Sequence, residues 1–148
     1  MTRVIAMSNC PGFITNYGQG TGGLSLILEA KDGQTGVPTL PTVGTSLDVS
    51  TGGMSPAPNT LGYLVWSIYV TANVDLGACG TWLLAGTFGW TPFLVGSSAG
   101  NPPVLSFDIP WAVDLVCTEV FWQVFLADTG PCGYLLSDGV HLGVGYGW

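Results

Sequence analysis

Four cysteines are the residues with the most definite chemistry in this chain. Cys10, Cys79, Cys117 and Cys132 are widely spaced over 148 residues, and no Cys-x-x-Cys pair occurs among them. An even number of cysteines at this spacing favours two disulfides over a zinc site, with free buried thiols as the other interpretation. Because disulfides persist in oxidising compartments, these cysteines predict an extracellular protein.

His141 is the only histidine, so acid–base and metal chemistry have few participants. It alternates with Val140 and Leu142, which predicts a strand position that faces away from the core. A Ser-His-Asp arrangement with Asp138 would lack the Gly-x-Ser-x-Gly sequence that presents a nucleophilic serine. The aspartates stand at turn positions such as Asp-Gly, not at the alternate positions of a calcium loop. We therefore expect no enzymatic activity, no cofactor and no metal site.

Charge is scarce, with two cations and nine carboxylates for a net charge of −7, while 47% of the residues are hydrophobic. About a quarter of the residues are charged in an ordinary domain. An acidic chain repels phosphate backbones, which excludes nucleic acid as a partner. The apolar runs are far shorter than the roughly 20 residues that a membrane helix needs, so we expect strands and no membrane span.

Glycine and proline interrupt nearly every window, and helix-favouring residues are few, so we predict an all-β fold. Seven to eight short strands indicate a single antiparallel β-sandwich, immunoglobulin-like or jelly-roll-like, over residues 17–148. The predicted strands are Leu24–Ala30, Thr45–Ser50, Leu61–Thr71, Thr81–Ala85, Pro92–Val95, Val104–Ile109, Thr118–Ala127 and Gly139–Val144.

The two longest predicted strands have apolar residues on both faces. Leu64, Trp66, Val124 and Trp122 alternate with a second set of aromatic residues. If the strands are neighbours, the second set forms a patch on the outside of one sheet. This patch consists of Tyr63, Tyr69, Phe121 and Phe125. Either the segment Gly86–Pro103 covers it, or it is exposed and marks a contact surface.

The same strands suggest how the cysteines pair. Cys79 follows the first long strand and Cys117 precedes the second, so antiparallel neighbours would place both at one end. This predicts Cys79–Cys117 and Cys10–Cys132. A Cys117–Cys132 bond is not expected, because an extended strand of ten residues would hold these cysteines about 30 Å apart.

Other residues suggest contacts with partners. Trp90 and Trp111, which we place in loops, are candidates for stacking on a glycan or on a neighbouring subunit. Residues 1–16 form an N-terminal extension in which Val4, Ile5 and Met7 are candidates for a donor strand in the next subunit's sheet. Such a head-to-tail contact propagates as a filament. The alternative is that the extension lies over its own domain. We assign the terminal residue, Trp148, to the same subunit interface.

Glycine-rich turns and apolar strands recur in a definite layout between Tyr17 and Gly145. The segments are Tyr17–Gly23, Gly36–Leu40, Val43–Val49, Asp75–Cys79, Leu105–Pro110, Gln123–Asp128 and Leu136–Val140. This layout resembles a secreted bacterial domain, rich in glycine, proline and leucine, that is found at the ends of large surface proteins. The resemblance implies a sandwich and a cell-surface location, and it carries no catalytic residues. The chain departs from the pattern in its higher aromatic content, and we expect a freestanding module whose partners are other chains.

Together these features predict a non-enzymatic extracellular structural subunit that assembles with copies of itself into a filament or sheath. Two alternatives remain open. One is a lectin-like module that binds carbohydrate through its exposed tryptophans. The other is a virion or phage surface subunit, whose cysteines would be reduced.

Overall fold

The computed structural model describes residues 10–53, 60–68, 71–85, 88–95 and 105–146. These residues form an all-β fold of antiparallel sheets, as predicted, but with ten strands in three sheets instead of seven or eight strands. The strands are β1 (Phe13–Tyr17), β2 (Ser25–Asp32), β3 (Thr45–Gly52), β4 (Thr60–Ser67), β5 (Thr71–Asp75), β6 (Thr81–Leu84), β7 (Phe88–Val95), β8 (Leu105–Asp108), β9 (Glu119–Ala127) and β10 (Tyr134–Gly143).

The largest sheet has five strands in the order β1-β10-β9-β4-β7. Its centre is the antiparallel pair β4 and β9, in which Leu64 lies opposite Val124. The prediction that the two longest strands are antiparallel neighbours is therefore confirmed. Both of these side chains are fully buried on the inner face. Trp66 and Trp122 lie on the same face and pack against the core. Alternation along the two strands therefore identified the inner face correctly.

A second sheet of three strands, in the order β2-β3-β8, contributes the other side of this core. Leu26, Leu28, Leu47 and Val49 point inward from it and join the core residues of the five-stranded sheet in one hydrophobic cluster. β5 and β6 pair with each other as a third, two-stranded sheet. We use "outer face" for the side of the five-stranded sheet that points away from this core.

Two strands were not predicted. β1 begins inside the segment assigned to the N-terminal extension and pairs with β10 at the edge of the five-stranded sheet. β5 arises because the predicted strand Leu61–Thr71 is divided, with β4 ending at Ser67 and β5 beginning at Thr71. Five of the residues that we predicted at the subunit interface lie outside the described residues, namely Val4, Ile5, Met7, Tyr69 and Trp148.

The four cysteines form two disulfides, as predicted, but the predicted pairing is wrong. The bonds are Cys10–Cys117 and Cys79–Cys132. β4 does end beside the start of β9, yet β5 then runs back along the sheet before Cys79 is reached. A strand of five residues spans about 17 Å. This return carries Cys79 to the opposite end of the sheet, beside the β9–β10 turn, so one disulfide lies at each end.

An irregularity in β10 links the two large sheets. The register with β9 shifts between Leu136 and Gly139, which is a β-bulge. Asp138, within the bulge, accepts hydrogen bonds from the Leu26 backbone N–H of β2 at 2.8 Å and from the Asn16 side-chain amide of β1 at 3.0 Å. The same Asn16 amide donates to the Leu26 carbonyl at 3.0 Å. The side chains of Asp138 and Asn16 thus satisfy the backbone N–H and carbonyl of Leu26. They replace a neighbouring strand, which β2 lacks on that side because it is an edge strand.

Aromatic rings lie directly over glycines in neighbouring strands. A Cβ atom placed on Gly143 would come within 2.3 Å of the Phe13 ring, and one on Gly139 within 2.3 Å of the Tyr17 ring. Gly89 stands in the same relation to Trp66. Each glycine leaves the space that a ring on the next strand fills.

Replacing Gly143 with alanine should therefore destabilise the fold by roughly 1–3 kcal/mol, because the added methyl group overlaps the Phe13 ring. The measurement is urea unfolding. Gly33→Ala is the matched control, since its Cβ would meet only the Ser46 hydroxyl at 3.3 Å. Equal losses in the two variants would contradict the packing argument.

Candidate interaction surface

The middle of the outer face is covered by the β5–β6 hairpin. Gln123, which is fully buried there, accepts a hydrogen bond from the Leu83 N–H at 3.0 Å and donates to the carbonyls of Thr81 at 2.8 Å and Ser137 at 2.9 Å. The first two partners belong to β6 and the third to the bulge of β10. One amide side chain therefore fastens the hairpin to the sheet.

Further contacts hold the hairpin. The Cys79–Cys132 disulfide joins the turn before β6 to the turn between β9 and β10. The Tyr17 hydroxyl of β1 donates to the Leu83 carbonyl at 3.4 Å, and burial raises the pKa of Tyr17 to about 12. The expectation that Gly86–Pro103 covers this face is wrong for its described part, because residues 88–95 form β7 within the sheet itself.

The part of the outer face that the hairpin leaves open carries a row of aromatic rings. Trp90 is 63% exposed and lies edge to face with Tyr63, with ring centroids 5.5 Å apart. Tyr63 contacts Phe125 at 6.2 Å, and Phe125 stacks on Tyr134 at 4.8 Å. The row crosses four strands and brings together Tyr63 and Phe125, which the sequence had grouped.

Three exposed apolar residues extend this row toward the end of the sheet that carries the Cys79–Cys132 disulfide. Leu61 and Leu94 lie opposite each other on β4 and β7, and Pro92 lies opposite Tyr63. We call the whole set the Trp90 surface. It consists of Leu61, Tyr63, Trp90, Pro92, Leu94, Phe125 and Tyr134.

Phe121, the remaining member of the predicted patch among the described residues, lies elsewhere on the outer face. It stacks on His141 with ring centroids 4.3 Å apart, and Phe13 meets the same imidazole edge to face at 4.8 Å. His141 Nε2 lies 2.8 Å from a carboxylate oxygen of Glu119. The buried Gln123 and the hairpin separate this second cluster from the Trp90 surface.

Charge is divided unequally between the two large sheets. The strands of the three-stranded sheet carry Glu29, Lys31, Asp32, Asp48 and Asp108. Lys31 Nζ forms an ion pair with Asp48 at 2.6 Å. The hydrogen bond from Lys31, and to a smaller extent the hydrogen bond from Ser106, lowers the pKa of Asp48 below its usual value.

The five strands of the larger sheet, by contrast, carry only two charged residues. Asp138 is committed to β2, and Glu119 lies beside His141 at the end away from the Trp90 surface. The strand positions that form the Trp90 surface therefore include no charged residue.

A second exposed apolar group lies at the other end of the molecule. Trp111 is 75% exposed, and its ring lies over Gly44, which has a φ of 84°. Val113, two residues further along the chain, is also exposed. Trp90 and Trp111 are thus both exposed, as a contact role requires, but they do not share one site.

Sequence reasoning missed part of this surface for identifiable reasons. The prediction that Trp90 lies in a loop is wrong, because Trp90 lies in β7, which begins at Phe88. Tyr134 was left out because β10 starts five residues before the predicted strand, and the bulge interrupts its alternation. Gln123 alternates with Val124 and so shares a face with Phe121 and Phe125, but its polarity gives no indication that a hairpin covers it.

Searches against protein-family models, curated proteins and solved structures found no match to this chain. Within the described ranges, no group of three or more histidine, cysteine, aspartate or glutamate side chains is placed to hold a metal ion. The helices in those ranges are also too short to cross a membrane.

Gln123→Leu should destabilise the fold by roughly 3 kcal/mol, because an apolar side chain of similar size leaves the Leu83 N–H and two carbonyls without partners. Chemical denaturation measures this. Gln34→Leu is the control, since Gln34 lies exposed in a turn, and it should change stability by less than about 0.5 kcal/mol. A similar small loss for Gln123→Leu would show that the hairpin is held by other contacts.

Tyr17 should make the fold sensitive to alkaline pH. Its pKa is 10.0 when unperturbed and about 12 in the fold, so folding favours the neutral phenol. The resulting stabilisation is complete below pH 10 and is lost as the pH rises toward 12. Unfolding free energies measured across this range should fall less steeply for Tyr17→Phe than for the native chain. Identical slopes would contradict the assignment.

Proposed function

We propose that this protein is a non-enzymatic extracellular structural subunit, built as a β-sandwich, that assembles with copies of itself into a filament or sheath. The observation that carries the proposal is the Trp90 surface. Contiguous exposed apolar area beyond a few hundred Å² is typical of interaction sites. Aromatic residues, tryptophan and tyrosine above all, are also enriched among the residues that dominate binding energy at protein interfaces.

The division of charge supports the same proposal. Interfaces between subunits are depleted in charged residues at their centre, whereas solvated faces keep them. The outer side of the three-stranded sheet, with Glu29, Lys31 and Asp48, has the composition of a solvated face. The Trp90 surface has the composition of an interface centre. The strand positions that lack charged residues are therefore those at which we expect a partner to bind.

The two disulfides support an extracellular location, because such bonds persist in oxidising surroundings. They weigh against a virion or phage subunit with reduced cysteines. The resemblance to a secreted surface domain agrees with this location. The N-terminal residues Val4, Ile5 and Met7 remain candidates for a donor strand that adds to the contact.

The lectin-like alternative has less support. The Tyr63 ring is turned 72° from the Trp90 ring and 63° from the Phe125 ring, so these three rings do not form a flat platform for a sugar chain. Trp111, the second candidate for stacking, lies at the other end of the molecule. The geometry fits the irregular apolar surface of a protein partner better.

Trp90→Ser should abolish polymers and weaken self-association by at least about 30-fold, the loss expected for a central aromatic residue. Sedimentation velocity and negative-stain images at micromolar concentration measure this, and circular dichroism checks the fold. Ile27→Ser removes an exposed apolar residue from the three-stranded sheet and should leave assembly unchanged. A native chain that stays monomeric under these conditions would refute the proposal.

A further inference from the structure

We infer that Cys117 is a site of thiol–disulfide exchange, at which a low-molecular-weight thiol opens the Cys10–Cys117 bond of the folded protein and becomes attached as a mixed disulfide. The inference concerns a different part of the molecule from the Trp90 surface and does not depend on self-assembly. It gives the two disulfides different roles, since Cys79–Cys132 fastens the β5–β6 hairpin and stays closed.

The backbone at Cys117 has a conformation that residues with a side chain rarely adopt. Its φ is 69°, and no other described residue except glycine has a positive φ. At the second disulfide, the left-handed positions fall on glycines instead. Gly80, with a φ of 103°, directly follows Cys79. Gly133, with a φ of 74°, directly follows Cys132. Only the first disulfide therefore places this unfavourable conformation on a cysteine itself, and such outliers concentrate at functional sites.

Hydrogen bonds to the chain just after β10 hold this conformation. The Cys117 N–H donates to the Val144 carbonyl at 2.9 Å, and the Val144 N–H donates to the Thr118 carbonyl at 2.9 Å. Val116, the residue before, is buried in the hydrophobic core. The backbone therefore turns at Cys117 in a way that leaves this residue exposed directly beside a buried one.

The two cysteines of this bond have unequal surroundings. Cys10 is partly buried and packs against the hydrophobic cluster, whereas Cys117 is exposed. Cys79 and Cys132, in the other disulfide, are both partly buried. Exchange requires that a thiolate reach one of the two sulfurs, and strained or exposed disulfides are the labile ones in proteins. We therefore expect attack on the Cys117 sulfur.

The exchange conserves atoms and electrons. The thiolate attacks Sγ of Cys117, and a new S–S bond forms as the bond to Cys10 breaks. The electron pair leaves with Sγ of Cys10, which is reduced to a thiolate and then takes a proton from water. The sulfur of the incoming thiol is oxidised to the disulfide level, so the thiol is the only co-reactant.

The fold should stay intact after the bond opens, because other contacts hold the segment that carries Cys10. β1 remains paired with β10 along Phe13–Tyr17. Gly12 lies so close to Gly145 that a Cβ atom on Gly145 would come within 2.4 Å of the Gly12 nitrogen. The Gly145 N–H in turn donates to the Pro41 carbonyl at 2.8 Å. Exchange therefore modifies the surface without unfolding the protein.

Carboxylates near Cys117 indicate the class of thiol. Asp114 lies three residues before it and Glu119 two residues after it, and both are exposed. The whole chain has a net charge of −7. Because like charges repel, an anionic thiol approaches this site less often than a neutral or cationic one. We therefore assign the site to small neutral or cationic thiols.

The test treats the native full-length chain with cysteamine, a small cationic thiol, under conditions in which the protein stays folded. Samples are quenched with N-ethylmaleimide at intervals, and mass spectrometry identifies the modified cysteine peptides. We expect Cys10–Cys117 to open about tenfold or more faster than Cys79–Cys132. The cysteamine adduct should be on Cys117 and the maleimide on Cys10, while the circular dichroism spectrum stays unchanged.

A comparison with 3-mercaptopropionate, an anionic thiol of similar size, tests the role of the carboxylates. Each rate is divided by the rate of the same thiol with 2-hydroxyethyl disulfide, which is neutral, so that differences in intrinsic nucleophilicity cancel. At low ionic strength the normalised rate should be about threefold higher for cysteamine, and about 0.5 M salt should reduce this difference. Asp114→Asn should also reduce it, whereas the control Asp128→Asn, beside the other disulfide, should not.

Four outcomes would overturn the inference. Cys79–Cys132 could open as fast as Cys10–Cys117, opening could occur only with loss of the circular dichroism signal, or the cysteamine adduct could be on Cys10. An interchain Cys10–Cys117 bond on a non-reducing gel would place the exchange between copies and overturn the assignment to a small thiol. Equal normalised rates for the two thiols would overturn the assignment to neutral or cationic thiols.

Discussion

The arrangement of the outer face depends on the burial of one amide side chain. Gln123 stands in the middle of a strand whose outward neighbours are aromatic, and an unpaired amide would be costly once covered. Its three hydrogen bonds engage β6 on one side and the bulge of β10 on the other. Together with the Cys79–Cys132 disulfide and the Tyr17 hydroxyl, Gln123 fixes where the hairpin docks, and therefore which part of the face is hidden and which part stays exposed.

The bulge that receives Gln123 also joins the two large sheets. The Ser137 carbonyl accepts from Gln123, the Ser137 hydroxyl accepts from the Val124 N–H at 2.8 Å, and Asp138 reaches the Leu26 N–H of β2. A single extra residue in β10 thereby turns neighbouring polar groups toward the hairpin and toward the opposite sheet. The three sheets are held in a fixed relation by hydrogen bonds that converge on two consecutive residues.

The parts of the fold that follow local alternation could be predicted, and those that depend on a reversal or an irregularity could not. Alternation in β4 and β9 identified both faces and their pairing, because each strand is regular over its length. The predicted disulfide pairing was wrong because β5 reverses the chain direction before Cys79. No residue type in the sequence indicates that reversal. Tyr134 was missed because the bulge breaks the alternation of β10. The aromatic composition of the Trp90 surface was visible in the sequence, but its limits depend on the hairpin.

The scarcity of charge, the many glycines and the aromatic content are three aspects of one design. Glycines such as Gly139 and Gly143 make room for rings on the adjacent strand, so a sheet built this way presents ring surfaces where other sheets present charged side chains. A face covered by rings is poorly solvated unless something packs on it. The β5–β6 hairpin covers one part, and the Trp90 surface is the part that remains. The charged residues are retained on the strands of the three-stranded sheet, so the scarcity of charge falls mainly on the five-stranded sheet.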